Sequence, residues 1–382
     1  MKKKFNFLPN QYKKSSVFKI NHNYLREQFS DNLEIINKIK KLNFNTDYTL
    51  GKEVNEFENK VKKLTNTKYA IGVGSGTDAI TLSLKALGVG IGDEVITPSF
   101  TFYGTVGAIV MTGATPVFVD IGQDLNINIS LIEKSITKKT KAIVPVHWSG
   151  LICDMKKIYN LAKKYNLFVV EDACHAILAE REGKKAGYYS DAACFSLHPL
   201  KNLNVWGDGG FVVTNKKNIK SKLSLTRNHG LINRDICSEF SGNSRLDTIQ
   251  AIVANHLIKS INKITKARIN NAKKYDNYLS RIDDIEIPTR YENCKHVFHI
   301  YSIKARRRNS LLKYLQQNGI DAKIHYPTPM HLQPASKKLK LNKKNLDVTE
   351  DTAKKIISLP VHEFINNRQI EFVVNKILNF YK

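Results

Sequence analysis

The stretch KAIVPVHWSGLICDMKKIYNLAKKYNLFVVEDA (residues 141–173) decides the fold. It opens with a short apolar run at 141–147 and closes with a second one at 167–173. Between them, at 155–165, apolar residues recur at helical spacing. This order predicts a β-α-β unit, in which a helix crosses between two parallel strands. Because both runs are largely apolar, we expect helices to cover both faces of the sheet.

The same alternation extends over much of the chain. Five further apolar runs predict strands, at 69–74, 94–98, 115–120, 191–198 and 209–215. Helical patterns between them predict an α/β fold with a mostly parallel, mixed sheet flanked by helices. Ligands of such sheets bind beyond the carboxyl ends of the strands. The informative loops are therefore those after Gly74, Pro98, His147, Asp172 and His198.

Changes in this rhythm divide the chain into three parts. Residues 1–45 are polar and mixed, and predict an N-terminal arm with a helix near 23–41. The alternating region, 46–255, predicts the large domain. One long helical pattern at 250–279 then leads into a smaller α+β C-terminal domain, assigned to 256–382.

The composition is that of a globular chain with a strong basic excess. The 382 residues are 42% hydrophobic, and 60 Lys+Arg against 34 Asp+Glu give a net charge of +26. The basic clusters are scattered, at Lys2–Lys4, Lys138–Lys141, Arg306–Arg308 and Lys337–Lys344, without interleaved aromatic residues. We therefore expect no nucleic-acid partner, although a positive field could attract a phosphorylated substrate.

Cysteine usage and hydropathy suggest a compartment. The five cysteines form no CxxC pair and no metal-ligand spacing, which predicts a reducing environment and no metal site. The uncharged stretch 95–119 contains two prolines and three glycines, and predicts strands and a helix rather than a membrane span. We expect a soluble cytoplasmic protein without membrane contacts.

The glycine-rich turn GVGSGTDAI (72–80) lies between a predicted strand and a predicted helix. Free N–H groups and the helix dipole would stabilise a phosphate there. The alternative is an ordinary glycine turn with a helix cap. A dinucleotide site is disfavoured because Thr77 stands where the GxGxxG motif requires its third glycine.

Two further motifs carry ionisable side chains. In VVEDACHA (169–176), Asp172 follows a strand and needs a partner, either the pyridinium nitrogen of a cofactor or a structural arginine. His175 could reach the same ligand or be a hydrogen-bonded core histidine. In FSLHPLKNLNVWGDGG (195–210), Lys201 is either a desolvated, nucleophilic amine or a lysine at a strand end with its head in water. Ser196 could bind a phosphate or cap a turn.

The order of these motifs is that of a fold type I enzyme that uses pyridoxal 5′-phosphate (PLP). The chain resembles the DegT/DnrJ/EryC1/StrS sugar aminotransferases over nearly its whole length. The resemblance is carried by LGKEVNEFE (50–58), GVGSGTDAI, TPSFTFYGT (97–105), PVFVDI, PVHWSG (145–150), EDACHA, FSLHPLKNL, GDGG, RNHG (227–230), GNSRLDTIQAIVA (242–254) and IHYPTPMHLQPA (324–335). The motif EDACHA departs slightly from the family pattern, because Cys174 stands at a position where the family usually has a small residue.

The resemblance implies a role for each matching residue. Lys201 would form the Schiff base with PLP, Asp172 would bind the pyridinium nitrogen, and His175 would lie near the phenolic oxygen. The phosphate would be held by Gly76, Thr77, Asp78 and Ser196; Phe102 would stack on the ring; Asn243 would come from the neighbouring subunit; and His147, His325 and Tyr326 would lie near the substrate.

The resemblance also implies a reaction. It is transamination of a nucleotide-linked keto-deoxy sugar by L-glutamate in a homodimer, giving an amino sugar for a polysaccharide or glycoconjugate. Family members with His in place of the lysine catalyse dehydration, so Lys201 favours transamination. A PLP-dependent dehydratase and an aminotransferase of a sugar phosphate remain alternatives. A polyanion-binding protein without the chemistry is opposed by the complete set of Lys201, Asp172 and Ser196.

Overall fold

The structure, a computed structural model, describes residues 18–339 and 346–382. The predicted basic cluster Lys2–Lys4, and part of the one at Lys337–Lys344, lie outside these ranges. The strands are β1 (Tyr69–Val73), β2 (Glu94–Pro98), β3 (Thr115–Val119), β4 (Thr140–Ile143), β5 (Phe168–Asp172), β6 (Glu180–Arg181), β7 (Lys184–Lys185), β8 (Ala192–Ser196), β9 (Gly210–Thr214), β10 (Ile285–Glu286), β11 (Cys294–Lys295), β12 (Tyr301–Ala305) and β13 (Ile356–Leu359).

Helices connect most of these strands. They are α1 (Leu25–Gln28), α2 (Leu33–Asn45), α3 (Lys52–Thr65), α4 (Gly76–Ala86), α5 (Tyr103–Met111), α6 (Ile129–Ile132), α7 (Met155–Lys164), α8 (Lys217–Thr226), α9 (Thr248–Leu257), α10 (Ile261–Leu279), α11 (Arg308–Gln317), α12 (Pro334–Lys338), α13 (Asp347–Lys355) and α14 (Asn367–Tyr381). Within the described ranges, no helix combines the length and the apolar character needed to cross a membrane.

A seven-stranded sheet forms the centre of the molecule. Its order is β1-β9-β8-β5-β4-β2-β3, and only β9 runs antiparallel to its neighbours. The predicted mostly parallel, mixed sheet is therefore confirmed. The carboxyl ends of six strands consequently meet at one edge, which is where the loops singled out above converge.

Alternation along the strands explains why helices cover both faces. Val169, Ala193 and Phe195 belong to one buried cluster, together with apolar residues of α3, α7 and α9. Val170 and Cys194 belong to a second cluster, with residues of α4, α5 and α8. Successive side chains of a strand point to opposite faces, so each strand contributes to both layers.

A second sheet, with the order β10-β12-β13, is antiparallel and packs with α10, α11 and α14 around its own apolar cluster. A third, small sheet has the order β11-β6-β7. The division into an arm at 1–45, a large domain at 46–255 and a small domain at 256–382 remains a proposal.

Two predicted helices differ in detail from the structure. The helix expected near 23–41 is two helices, α1 and α2, separated by Phe29 and the polar residues Ser30, Asp31 and Asn32. These polar residue types favour caps and turns because their side chains compete for backbone hydrogen bonds. The pattern at 250–279 forms α9 and α10, which are joined by a single 3₁₀ turn at Ile258–Ser260.

Candidate active site

A cavity of about 280 Å³ opens at the carboxyl edge of the central sheet. Its wall combines loops after β1, β2, β5 and β8 with residues of the N-terminal arm and the C-terminal part of the chain. It is the site that the sequence motifs predict, because the glycine turn, Asp172 and Lys201 all contribute to its lining.

One end of the cavity is formed by the N-terminus of α4. Ser75 caps this helix, and its Oγ accepts a hydrogen bond from the backbone N–H of Asp78 at 3.0 Å. Gly76 and Thr77 follow and line the cavity. The unpaired N–H groups and the dipole of an 11-residue helix make this end favourable for a phosphate.

Close packing requires glycine at position 76. A Cβ atom there would lie 2.8 Å from Ser196 Cβ and 2.9 Å from Cys174 Sγ. The glycine thus lets the first turn of α4 approach the end of β8, and both elements face the same end of the cavity. Gly210 allows a similar approach, since its Cβ would lie 2.5 Å from the carbonyl carbon of Ser75.

Lys201 lies in the loop between β8 and β9. Its backbone N–H donates to the carbonyl of His198 at 2.8 Å, and its own carbonyl accepts from Asn204 Nδ2 at 2.9 Å. Desolvation lowers the pKa of the amine, although the charges of Cys174 and Asp172 oppose this shift. A lowered pKa increases the fraction of neutral, nucleophilic amine at neutral pH.

Asp172 is the last residue of β5 and is 6% exposed. Thr105 Oγ1 donates to its Oδ2 at 2.6 Å, and the backbone N–H of Cys174 donates to its Oδ1 at 3.1 Å. Two hydrogen bonds leave further acceptor positions on the carboxylate, which has about four lone-pair sites. The carboxylate can therefore accept an N–H group from a ligand in the cavity.

Rings surround the middle of the cavity. The His175 and His299 rings lie 4.4 Å apart, and the Phe102 and Tyr326 rings 5.9 Å apart. Burial lowers the pKa of His175 well below its usual value, so its ring is neutral at pH 7. His175 Nδ1 is buried and has no hydrogen-bond partner among the residues that the structure describes.

The residues present fit PLP. The helix N-terminus suits its phosphate, and Asp172 suits a protonated ring nitrogen. The orphaned His175 Nδ1 is a polar atom for which a ligand oxygen would provide a partner. The amine of Lys201, in the same cavity, suits the aldehyde.

The structure brings most of the predicted site residues together. Those in the cavity wall are Gly76, Thr77, Phe102, Asp172, His175, Ser196, Lys201, His325 and Tyr326. His325 accepts or donates one hydrogen bond, between Nδ1 and Ser358 Oγ at 3.0 Å, and burial lowers its pKa to about 3. Their roles toward cofactor and substrate remain proposals.

Three predicted residues lie outside the wall. Asp78 is one of them, and its N–H group donates to the Ser75 cap. Asn243 is exposed, and its Oδ1 accepts from the backbone N–H of Arg245 at 3.4 Å. Its predicted contribution to a neighbouring subunit stays a prediction.

His147 is the third; it is buried outside the wall, and its expected place near the substrate stays a prediction. The ring is 0% exposed, and Nε2 lies 2.7 Å from Glu171 Oε2. Nδ1 accepts from the backbone N–H of Cys153 at 3.3 Å, so Nε2 carries the proton and donates it to the carboxylate. With both nitrogens occupied, His147 holds the core together behind β5.

The N-terminal arm lines the cavity, which sequence reasoning missed. Tyr24 Oη donates to the carbonyl of Leu200 at 3.1 Å, next to Lys201. Its ring stacks on His362 at 5.0 Å, and the Arg268 guanidinium lies 4.9 Å from the ring centroid. These contacts join distant parts of the chain, and no local sequence pattern around Tyr24 predicts them.

Comparison with known proteins identifies the family and the fold. The model of the DegT/DnrJ/EryC1/StrS aminotransferase family matches residues 30–378. A pleiotropic regulatory protein of Geobacillus stearothermophilus is 38% identical over 352 residues, which cover 91% of this chain and 95% of that protein. A UDP-N-acetyl-3-dehydro-alpha-D-glucosamine 3-aminotransferase of Acidithiobacillus ferrooxidans is 36% identical over 345 residues, covering 90% and 93% respectively.

Among solved structures, that of S. venezuelae DesV in complex with a ketimine intermediate has a TM-score of 0.91 and 34% identity. The aligned region covers 94% of this chain and 97% of the DesV chain. Likeness of this extent confirms the predicted fold type I architecture. The chain therefore belongs to the DegT/DnrJ/EryC1/StrS aminotransferase family and is a PLP-dependent aminotransferase.

Proposed function

We propose that the protein transfers an amino group from L-glutamate to a nucleotide-linked 3-keto sugar. The observation that carries the proposal is the meeting of Lys201, Asp172 and the N-terminus of α4 in one cavity. Amination at carbon 3 of the sugar is supported by relatives named for 3-amino, 3-dehydro or 3-oxo sugars linked to UDP or dTDP. The net charge of +26 supports a diphosphate-bearing substrate.

Each residue of the cavity has a proposed task. When bound, PLP supplies the carbonyl group and the electron-accepting ring that amino-group transfer requires. Asp172 keeps the ring nitrogen protonated by presenting a charged acceptor. The Lys201 amine first holds the cofactor and, once released, moves a proton between the substrate and the cofactor. The lowered pKa of this amine increases the neutral fraction that can act as a base.

We also propose that a second copy of the chain completes the site. Phe102 and Tyr103 lie beside the cavity with about half of their surface exposed, 50% and 52%. Met111, on the same helix α5, is 61% exposed. A partner would cover these apolar side chains and would bring its Asn243 toward the cofactor phosphate.

Turnover with a panel of substrates tests the proposed reaction. Purified protein loaded with PLP is mixed with L-glutamate and with UDP- or dTDP-linked 3-keto and 4-keto sugars. Release of 2-oxoglutarate together with a 3-amino sugar is the expected result. Amination at C4 alone, or dehydration without 2-oxoglutarate, contradicts the proposal.

Complementation tests the shared site. Lys201→Ala and Asn243→Ala should each be inactive alone. Coexpressed at equal levels, they form heterodimers in which one of two sites has both intact residues, so about a quarter of wild-type activity should return. A coexpressed mixture that stays inactive contradicts a site shared between subunits.

A further inference from the structure

A chain of two threonine hydroxyls ends on the Asp172 carboxylate. Thr105 Oγ1 lies 2.6 Å from Asp172 Oδ2, and Thr101 Oγ1 lies 2.7 Å from Thr105 Oγ1. Both threonines are 2% exposed, and both line the cavity. The sequence motifs and the family roles discussed above assign neither residue a task.

The direction of the protons in this chain follows from chemistry. An ionised carboxylate can only accept, so Thr105 donates its single hydroxyl proton to Asp172. Thr105 Oγ1 must then accept from Thr101, which donates its own proton. Both hydroxyl dipoles thus point toward the negative charge, and each strengthens the other in a buried setting.

The same short segment places the two hydroxyls and the ring of Phe102. Thr101 precedes Phe102, which is the N-cap residue of α5, and Thr105 is in the first turn of that helix. Gly104, between them, allows contact with the other end of the cavity, since a Cβ there would lie 2.9 Å from Thr77 Oγ1. This one segment therefore fixes the Asp172 carboxylate relative to the Phe102 ring and to the N-terminus of α4.

We propose that Thr105, supported by Thr101, is a positioning residue that holds the Asp172 carboxylate in the orientation that receives the ring nitrogen of PLP. The N–H group of Cys174 donates to the other carboxylate oxygen, Oδ1, at 3.1 Å. Without Thr105, one oxygen loses its donor, and the carboxylate can rotate toward the Lys201 amine. The inference rests on the proposed place of Asp172 at the ring nitrogen.

The test compares binding of PLP with binding of its 1-deaza analogue, in which carbon replaces the ring nitrogen. Dissociation constants for the apo-protein are measured by fluorescence titration for the wild type, Thr105→Val and Thr105→Ser. Valine has the shape of threonine without the hydroxyl, and serine keeps the hydroxyl. Thr105→Val should weaken PLP binding about tenfold, the scale of one lost hydrogen bond to a charged group. Binding of deaza-PLP should change less than twofold, and Thr105→Ser should retain wild-type preference for PLP.

A matched control separates this role from general packing. Thr97 is a fully buried threonine outside the cavity wall, and its Oγ1 donates to the carbonyl of Val144 at 2.9 Å. Thr97→Val should leave both dissociation constants unchanged. Thr101→Val should weaken PLP binding by a smaller factor than Thr105→Val, and it provides the test if the latter fails to fold.

Two outcomes overturn different statements. If the wild type binds PLP and deaza-PLP equally, the proposed place of Asp172 at the ring nitrogen fails. If the wild type prefers PLP but the valine variants keep the full preference, or lose affinity equally for both ligands, the role of Thr105 fails. Neither result depends on which sugar the protein aminates.

Discussion

Replacing Gly76 by alanine places a methyl group where the cavity has no room for it. The new Cβ would lie 2.8 Å from Ser196 Cβ and 2.9 Å from Cys174 Sγ. An ordinary contact begins at 3.4 Å, so the first turn of α4 and the end of β8 must separate by about 0.6 Å (3.4 − 2.8). The Cys174 Sγ atom can rotate away, but Ser196 Cβ is bonded directly to the backbone, so the backbone at Ser196 or Gly76 must move.

The cost of this movement appears in two measurements. Overfilling a packed site typically costs about 1–3 kcal/mol, and we expect the free energy of unfolding to fall by that amount in urea denaturation. The movement also separates the N–H groups of α4 from Ser196, so PLP binding should weaken about 10- to 100-fold, which corresponds to a similar energy. Fluorescence titration of the apo-protein measures the second effect.

Two further variants make the experiment specific. Gly90→Ala is the control, because its Cβ would meet only the carbonyl oxygen of Thr112, at 3.8 Å. It should change neither quantity. Adding Cys174→Ala to Gly76→Ala removes one of the two close contacts. The double variant should therefore regain part of the lost stability and PLP affinity. A Gly76→Ala protein with wild-type stability and PLP affinity would refute the close approach of α4 to β8.

Two other predictions follow from buried histidines. His147→Leu removes the hydrogen-bond donor to Glu171 and should lower the free energy of unfolding by about 1–3 kcal/mol. The KM for the sugar should not change. A raised KM at unchanged stability would instead indicate that His147 contacts the substrate. Burial lowers the pKa of His325 from 6.5 to about 3. Between these pH values the unfolded chain binds a proton at His325 that the folded chain does not bind. The contribution of the neutral ring to the free energy of unfolding is therefore fully present above pH 6.5 and is lost as the pH falls. His325→Asn should flatten this fall by up to about 1.4 kcal/mol per pH unit in urea denaturation at pH 4–6, and an unchanged slope would contradict a neutral, buried ring.

The sheet and the residues at its edge were predictable because their signals are local. Each strand of the central sheet is a short apolar run. The predicted limits are those of the structure at Glu94–Pro98, whereas the run at 141–147 ends as a strand at Ile143. The glycine turn, Asp172 and Lys201 each follow a strand, and parallel strands bring such positions to one edge. Even Thr105 could have been noticed, since it lies in the first turn of the helix that follows β2.

The parts that were not predictable depend on contacts between distant segments. Tyr24 donates to the carbonyl of Leu200, 176 residues further along the chain, and no sequence pattern in the polar arm indicates this contact. The loop after His147 lies at the same edge of the sheet as Asp172, and the family resemblance implied a place near the substrate for His147. Only the structure shows that Glu171 and Cys153 hold its ring within the core.

The most direct test is to find which lysine carries PLP. The protein, reconstituted with PLP, is reduced with borohydride and digested, and the pyridoxyl-modified peptide is identified by mass spectrometry. The modification should lie on Lys201 alone, and Lys201→Ala should bind PLP without becoming modified. A modified peptide from elsewhere in the chain, or equal labelling of Lys201→Ala, would contradict a site organised around Lys201.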